Sequence, residues 1–358
     1  MKKYQIAVLA GDYIGPEIMS AGLRVLKAVS EDSDFEYELR KLLFGGAAID
    51  EVGEPLPQNT LTTCKNSDAI LLAAIGGPKW DHALKRPEEG LLAIRKELGL
   101  FSNIRPTKID RSMISYSPIE VTDSVDFVIV RELTSGIYFG KPSELTENDA
   151  FDTMRYSARE IRRAAKIAFE MAMKRKKHVT LVDKANVLST SKLWRRVVKE
   201  VANHYPEVTY DTSYVDSAAM KIISTPEQFD VLLTENLFGD ILSDEAAQIT
   251  GSLGTIPSMS IGSSGPALYE PIHGSAPDIA GKEIADPISM IKSIAMMLDN
   301  SFDREDLAQE IYSSIYQSIN EKNVTPDLGG DRSTTEVTDA IIKNIKESRE
   351  QYVKNNVR

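Results

Sequence analysis

Cysteine is almost missing from this chain: Cys64 stands alone among 358 residues. An intramolecular disulfide framework is therefore excluded, a reducing compartment is the simplest expectation, and Cys64 reads as a buried structural thiol. Positive charge is also in short supply, with 42 Lys and Arg against 53 Asp and Glu and a formal net charge of −11. That balance argues against a nucleic-acid binder, which needs a basic face to displace counterions from phosphates. Anionic substrates would have to be met by local arginines. No stretch approaches the roughly 20 apolar residues of a membrane span. The N-terminal apolar run around Ile6–Ala10 is too short for a signal peptide and reads as a buried strand, so a cytoplasmic protein is expected. G-x-G-x-x-G, Walker A, C-x-x-C and H-E-x-x-H are all missing, which leaves an ordinary Rossmann dinucleotide unit unsupported. Internal repeats, low-complexity tracts and Gly/Ser-rich linkers are missing too.

What is present is an apolar fraction of 42% and a charged fraction of 27%, ordinary for a globular enzyme. The length is enough for two domains. Short apolar strands alternate with helical stretches, the pattern of an α/β protein with a largely parallel sheet. Strands are expected at Ile6–Ala10, Ala69–Ala74, Phe127–Arg131, Val179–Val182 and Val231–Thr234. Pro16 reads as a first-turn helix residue. Ser157-Ala158-Arg159-Glu160 is a capping box opening a helix to about Lys176, and Thr225-Pro226-Glu227 predicts another helix start. Glycine-rich turns are expected at Gly76-Gly77-Pro78 and from Gly251 to Gly265. Without a flexible linker, crossovers are expected to make one domain discontinuous, with the active site between the two.

The segment from Thr234 to Glu245 carries Asp240 and Asp244 four residues apart. On a 3.6-residue period these two and Gln248 form one polar stripe, while Ile241, Leu242 and Ile249 are expected to point into a core. Oxygen donors with no Cys or His nearby suit Mg²⁺ or Mn²⁺ better than zinc. An isolated D-x-x-x-D is more often a solvated helix face. The loop His273-Gly274-Ser275-Ala276-Pro277-Asp278-Ile279-Ala280-Gly281 has small residues that let backbone approach a nucleotide, and an aspartate able to accept both ribose hydroxyls. Such loops are more often only connections. Arg86, Arg95, Arg105 and Arg131 sit in short distinctive contexts. The last three suit bidentate capture of a dicarboxylate, although each alone could be a surface ion pair. Tyr138 and Lys184 are candidate proton-transfer groups, with core packing and a strand-end surface charge as the respective alternatives.

Together these segments resemble the β-decarboxylating dehydrogenases, the family of isocitrate and isopropylmalate dehydrogenases. The resemblance runs nearly end to end. It is carried by Gly11-Asp12 to Gly15-Pro16-Glu17, Gly90-Leu91-Leu92 to Arg95, Asn103-Ile104-Arg105-Pro106, Arg131 to Gly140, Asp183-Lys184-Ala185-Asn186, Asp216, Thr234 to Glu245, and Glu270-Pro271-Ile272-His273 to Gly281. It implies a two-domain fold of that type: residues 1–101 with 253–358 as a discontinuous cofactor-side domain, and 102–252 as the substrate, metal and dimerisation domain. It also implies a homodimer in which Lys184 and Asp216 serve the neighbouring subunit's site. Arg95, Arg105 and Arg131 would bind the substrate carboxylates, and Asp240, Asp244 and the partner's Asp216 would bind Mg²⁺ or Mn²⁺. Lys184 would accept the substrate hydroxyl proton during oxidation, and Tyr138 would return a proton to carbon after CO₂ is lost.

Within the family, the residues opening the helix at Glu88, Leu91 and Leu92 meet the group that distinguishes substrates. The two leucines here offer apolar area for an isopropyl group, so the implied reaction is the oxidative decarboxylation of 3-isopropylmalate in leucine biosynthesis. D-malate or tartrate oxidation and a non-catalytic regulatory role are the alternatives. Asp278 followed by Ile279 favours NAD over NADP, because a carboxylate repels a 2′-phosphate. Gly76, Gly77 and Pro78 resemble the family's second cofactor-side loop. Three positions depart from the pattern. Tyr13 stands where glycine is usual, and a bulky residue there is strained at positive φ. Ser135 also replaces a glycine. Asp286 replaces a frequent asparagine, so an adenine contact is expected to lose its amide donor.

Overall fold

Residues 2–121 and 124–356 are described by the computed structural model, in which the chain divides into two units, Met1–Gly99 with Ser252–Arg358, and Leu100–Gly251. The first unit begins with β1 (Lys3–Gly11), α1 (Gly15–Ser30), β2 (Glu36–Leu42), α2 (Gly46–Val52), α3 (Gln58–Lys65), β3 (Ala69–Ala74) and α4 (Pro87–Glu97). β1 pairs in parallel with both neighbours, Ile6 lying opposite Leu39 and Ala69. The middle of β1 and all of β3 are buried. They therefore read as continuous apolar runs, as strands covered on both faces must. Pro16 lies in the first turn of α1, where its missing N–H costs nothing.

The second unit contains β4 (Ser102–Ile109), β5 (Val125–Glu132), β6 (Glu144–Leu145), β7 (Ala150–Phe151), α5 (Ala158–Met173), β8 (His178–Asp183), α6 (Ser189–Ala202), β9 (Thr209–Tyr214), α7 (Val215–Ser224), β10 (Val231–Thr234) and α8 (Asn236–Gln248). Its main sheet runs β4-β5-β10-β8-β9, antiparallel only between β4 and β5. β6 and β7 form a separate two-stranded ribbon. The chain then returns to the first unit with β11 (Pro257–Ile261), β12 (Ala267–Pro271), α9 (Ile288–Phe302), α10 (Glu305–Asn320) and α11 (Thr334–Asn356). β12 joins β3 in parallel and β11 joins β12 antiparallel. α9 is buried along almost its whole length, consistent with its apolar residues on every side. Among the described residues, no helix is long and apolar enough to cross a membrane.

Several local expectations change. The capping box at Ser157 is formed, with Ser157 and Glu160 bonding reciprocally, but α5 ends at Met173 rather than near Lys176. Thr225-Pro226-Glu227 opens only a three-residue 3₁₀ turn, Pro226–Gln228, because Phe229 returns to extended backbone as the chain enters β10. The glycine-rich stretch after Gly251 contains the strand β11, whose Ser258 and Ser260 are buried and hide it from an apolar pattern. Ile241 is exposed rather than core, while Leu242 and Ile249 are buried. Cys64 is buried and free, and burial pushes its thiol up to about 12, which makes it a poor nucleophile.

Candidate active site

In open α/β sheets ligands collect beyond the carboxyl ends of the strands, and in the second unit those ends carry Arg131 in the last residues of β5, and Lys184 and Glu235 directly after β8 and β10. Arg131 is only 6% exposed. Its Nε donates to the carbonyl of Asn236 at 3.0 Å and its Nη2 to Asn236 Oδ1 at 2.8 Å, while Nη1 meets Asp240 in an ion pair. The guanidinium reaches this position because Gly239 has no side chain: a Cβ there would lie 2.6 Å from Arg131 Cγ. Tyr138 donates its hydroxyl to Asp240 Oδ2 at 2.9 Å. Burial first, and then the Asp240 carboxylate, raise the Tyr138 pKa, so the phenol stays protonated at neutral pH. One turn along α8, Asp244 Oδ1 accepts from Arg105 Nη1 at 3.0 Å; the same nitrogen donates to Ser243 Oγ at 2.7 Å, and Arg105 Nε is held by Asn103 at 2.8 Å. Arg131 is thus a buried guanidinium and Arg105 a half-buried one, each with prearranged partners rather than a lone surface ion pair. Tyr138 is half exposed, not a core residue.

Lys184 and Asp216 form their own pair, with Nζ on Asp216 Oδ1. The Lys184 ammonium lowers the Asp216 pKa. Among the described residues no three His, Cys, Asp or Glu side chains of this chain converge as a metal-binding group. Asp240 and Asp244 nevertheless present only hard oxygen donors from successive turns of one helix, and Asp244 is 65% exposed. That donor chemistry fits Mg²⁺ or Mn²⁺.

In the first unit Asp12 ties the strand-end loops together. Its carboxylate accepts from the amides of Gly46 at 2.9 Å, Ala47 at 2.7 Å and Gly76 at 2.8 Å. Ser275 Oγ donates to the Gly76 carbonyl at 2.8 Å, and Ile14 N donates to the Ser275 carbonyl at 3.1 Å. The Gly76-Gly77-Pro78 turn and the His273–Ile279 loop therefore adjoin. His273 Nδ1 lies 2.9 Å from the Gly274 carbonyl, which makes it the protonated nitrogen, and burial lowers the ring's pKa. Its Nε2 is a buried acceptor with no partner, and the side of Gly274 where a Cβ would stand is open. An orphaned acceptor beside open backbone fits a flat ligand carrying an N–H donor, such as a nucleotide base. Ala276 and Pro277 are half-buried in this loop; Asp278 is exposed and Ile279 half-buried.

Tyr13 adopts the left-handed conformation, φ +49°, and its ring occupies the space that a Gly77 Cβ would fill, 2.3 Å away. It also packs edge-on to Trp80 at 5.7 Å. The strain expected at this position is present, and aromatic packing accompanies it. Ser135 is buried, and its N–H donates to Glu132 at 2.9 Å. Asp286 is buried, its Oδ1 accepting from Ile288 N at 2.8 Å. Burial first, and then Asp327, raise its pKa well above the usual carboxylate range, which favours the protonated form beside Asp327. On α4, Arg95 Nη2 donates to Glu270 at 2.8 Å. Glu88 leans over Gly76, Leu91 is half-buried, and Leu92 is 46% exposed. Leu92 is not spent on the core of its own helix.

Sequence reasoning placed Asp12, Asn103, Asn236, Ser243 and Glu270 within motifs but gave no role to them, although they hold the arginines and loops in place. The available signal was a polar residue at or just after the end of a buried strand, as at Asp12 after β1 and Asn236 after β10.

The geometry defines an α/β protein with an arginine and carboxylate cluster in its second unit. The model of the family described as "Isocitrate/isopropylmalate dehydrogenase" matches residues 5–341. The chain is 59% identical to the 3-isopropylmalate dehydrogenase of Lactococcus lactis over 96% of its own length and 99% of that protein's. It is 56% identical to that of Streptococcus mutans, over 96% and 100%. Among solved structures, isocitrate dehydrogenase from Methylococcus capsulatus superposes with a TM-score of 0.86 at 34% identity, covering 96% of this chain and 99% of that one. A β-decarboxylating dehydrogenase from Thermococcus kodakarensis gives 0.80 at 37% identity, with 96% of each chain covered. The chain belongs to the isocitrate/isopropylmalate dehydrogenase family, and its reaction class is that of the family's dehydrogenases.

Proposed function

We propose that this protein catalyses the NAD-dependent oxidative decarboxylation of 3-isopropylmalate to 4-methyl-2-oxopentanoate and CO₂, serving leucine biosynthesis in the cytoplasm with Mg²⁺ or Mn²⁺. The observation that carries this reading is Leu92, exposed on α4 beside half-buried Leu91 and one turn before Arg95. Burying an isopropyl group on such a surface is worth about 2 kcal/mol, and a third carboxylate would gain nothing there.

Arg95, Arg105 and Arg131 bind the two carboxylates; their planar forks suit carboxylate geometry, and their existing partners hold them ready. Asp240 and Asp244, with Asp216 of the partner subunit, would hold the cation. When bound, NAD supplies the hydride acceptor and the cation supplies the charge that acidifies the substrate alcohol. The partner's Lys184 takes up the hydroxyl proton, and Tyr138, kept protonated, delivers one to carbon. His273 to Ile279, Gly76, Gly77 and Pro78 form the nucleotide-binding loops. Asp278 accepts the ribose hydroxyls. Asp286 supports the adenine end from beneath. The partner is a second copy of this chain. That is supported by the exposed apolar Met220 and Ile223 on α7, Ile241 on α8, and Leu145 and Phe151 on the β6-β7 ribbon.

The test is NADH formation by the purified protein with Mn²⁺ and 3-isopropylmalate, D-malate, tartrate or isocitrate, and with NADP replacing NAD. Turnover of 3-isopropylmalate no faster than that of D-malate removes the leucine-pathway assignment. Inactivity of the chain alone on every substrate favours a regulatory subunit.

A further inference from the structure

Glu235 is a buried acid for which the reaction above has no use. It occupies the junction between β10 and α8, is 1% exposed, and its Oε2 has no hydrogen-bond partner. Its Oε1 accepts from Ser191 Oγ, and that same Oγ accepts from the backbone N–H of Lys184 at 3.1 Å. The serine hydroxyl is thereby a two-way bridge, taking a proton donor from the end of β8 and offering its own to the start of α8. The two segments joined in this way are those that carry Lys184 and the Asp240–Asp244 pair.

We propose that Glu235 is a positioning residue: through Ser191 it fixes the backbone of Lys184 and so holds the lysine where the reaction needs it. The proposal rests on Lys184 as the proton acceptor of the function inferred above. The groups facing Glu235 come from three elements. Asp183 on β8 accepts from Arg195 of α6, through Nε and Nη2. Tyr156, before α5, accepts Asn236 N at 2.9 Å and lies close enough to feel the Glu235 charge. Lys184 itself extends to Asp216. Burial, opposed by the Ser191 hydrogen bond and reinforced by Asp183, pushes Glu235 up to about 7. The carboxyl therefore titrates near neutrality, and glutamine is the isosteric substitute for its protonated form.

The experiment compares Ser191→Ala, Glu235→Ala and Glu235→Gln in the full-length protein by two readouts. The first is hydrogen–deuterium exchange of the amides at Lys184 and Ala185 across about pH 6 to 9, which needs no turnover. The second is the division of steady-state effects between kcat and KM. The expected result is exchange at Lys184 about tenfold faster in both alanine variants. A loss of about tenfold or more in kcat should accompany it, with KM within about twofold of wild type, since a small misplacement acts on the chemical step. Glu235→Gln should restore both, and should abolish a pH-dependent step in Lys184 exchange near neutrality that the wild type shows. Unchanged Lys184 exchange in Ser191→Ala, or a glutamine variant as impaired as Glu235→Ala, overturns the proposal. If the protein turns over no family substrate, the exchange data alone decide it, separately from the proposed function. Ser191→Ala, which removes one oxygen, guards against misfolding of Glu235→Ala.

Discussion

Arg131 and Asp240 form an ion pair beside Gly239, whose missing side chain leaves room for the stem of the arginine. One arginine thus both fastens the helix through Asn236 and presents a nitrogen at the surface where Asp240 stands. Replacing it separates these roles poorly. Arg131→Lys cannot fork to Asn236 and Asp240 together. We expect kcat/KM for 3-isopropylmalate to fall at least about a hundredfold, together with a stability loss of about 3 kcal/mol from the stranded buried acceptors. Denaturant unfolding and steady-state kinetics on the same preparation check both numbers.

The substrate reading makes Leu92 a discriminator. Leu92→Ser removes apolar area without touching a carboxylate ligand. It is expected to lower kcat/KM for 3-isopropylmalate by about tenfold to thirtyfold while leaving D-malate turnover nearly unchanged. An equal loss on both substrates would place Leu92 in general helix support instead.

Asp286 gives a pH-dependent stability with a defined sign. Its pKa in the fold lies well above the ordinary carboxylate value of 3.8. Between those two values the folded form holds a proton that the unfolded form has released, so unfolding becomes easier as pH rises through that window. Asp286→Asn keeps an acceptor for Ile288 N and a donor toward Asp327 but cannot ionise. The variant should therefore gain in Tm over wild type as pH increases from about 4, with the gap closing in acid. Thermal unfolding across a pH series would show this, and a gap that does not vary with pH would contradict it.

Tyr13 offers a test of backbone strain against packing. A non-glycine residue in the left-handed region costs roughly 1–2 kcal/mol, while the ring fills the space over Gly77 and packs on Trp80. Tyr13→Ala loses the ring and keeps the strain; Tyr13→Gly loses both. The glycine variant should thus be the more stable of the two by about 1 kcal/mol. Tyr13→Phe should unfold with the wild type. Urea midpoints of the three variants decide it.

Legibility in the sequence followed burial. Ile6–Ala10, Ala69–Ala74 and Val231–Thr234 declare themselves because strands covered on both faces are written in apolar residues. β2 and β9, at the outer positions of their sheets, carry charged and polar side chains and give no such signal. The arginines could be singled out by their contexts, but not their partners, since Arg105 and Ser243 are 138 residues apart. The exposure of Ile241 was misread because periodicity gives the face of a helix but not what covers that face.

The sequence alone determined the α/β alternation, the first-turn place of Pro16 in α1 and the capping box of α5, the oxygen-only character of the Asp240–Asp244 pair and membership of a family, because each is written in neighbouring residues or in motifs of fixed order. Tertiary structure alone decided that burial and Asp327 raise the Asp286 pKa, that Tyr13 lies over Gly77, and that Glu235 is joined to Lys184 through Ser191. Those properties depend on desolvation and on hydrogen bonds between segments distant in the chain, and spacing along a sequence carries no record of either.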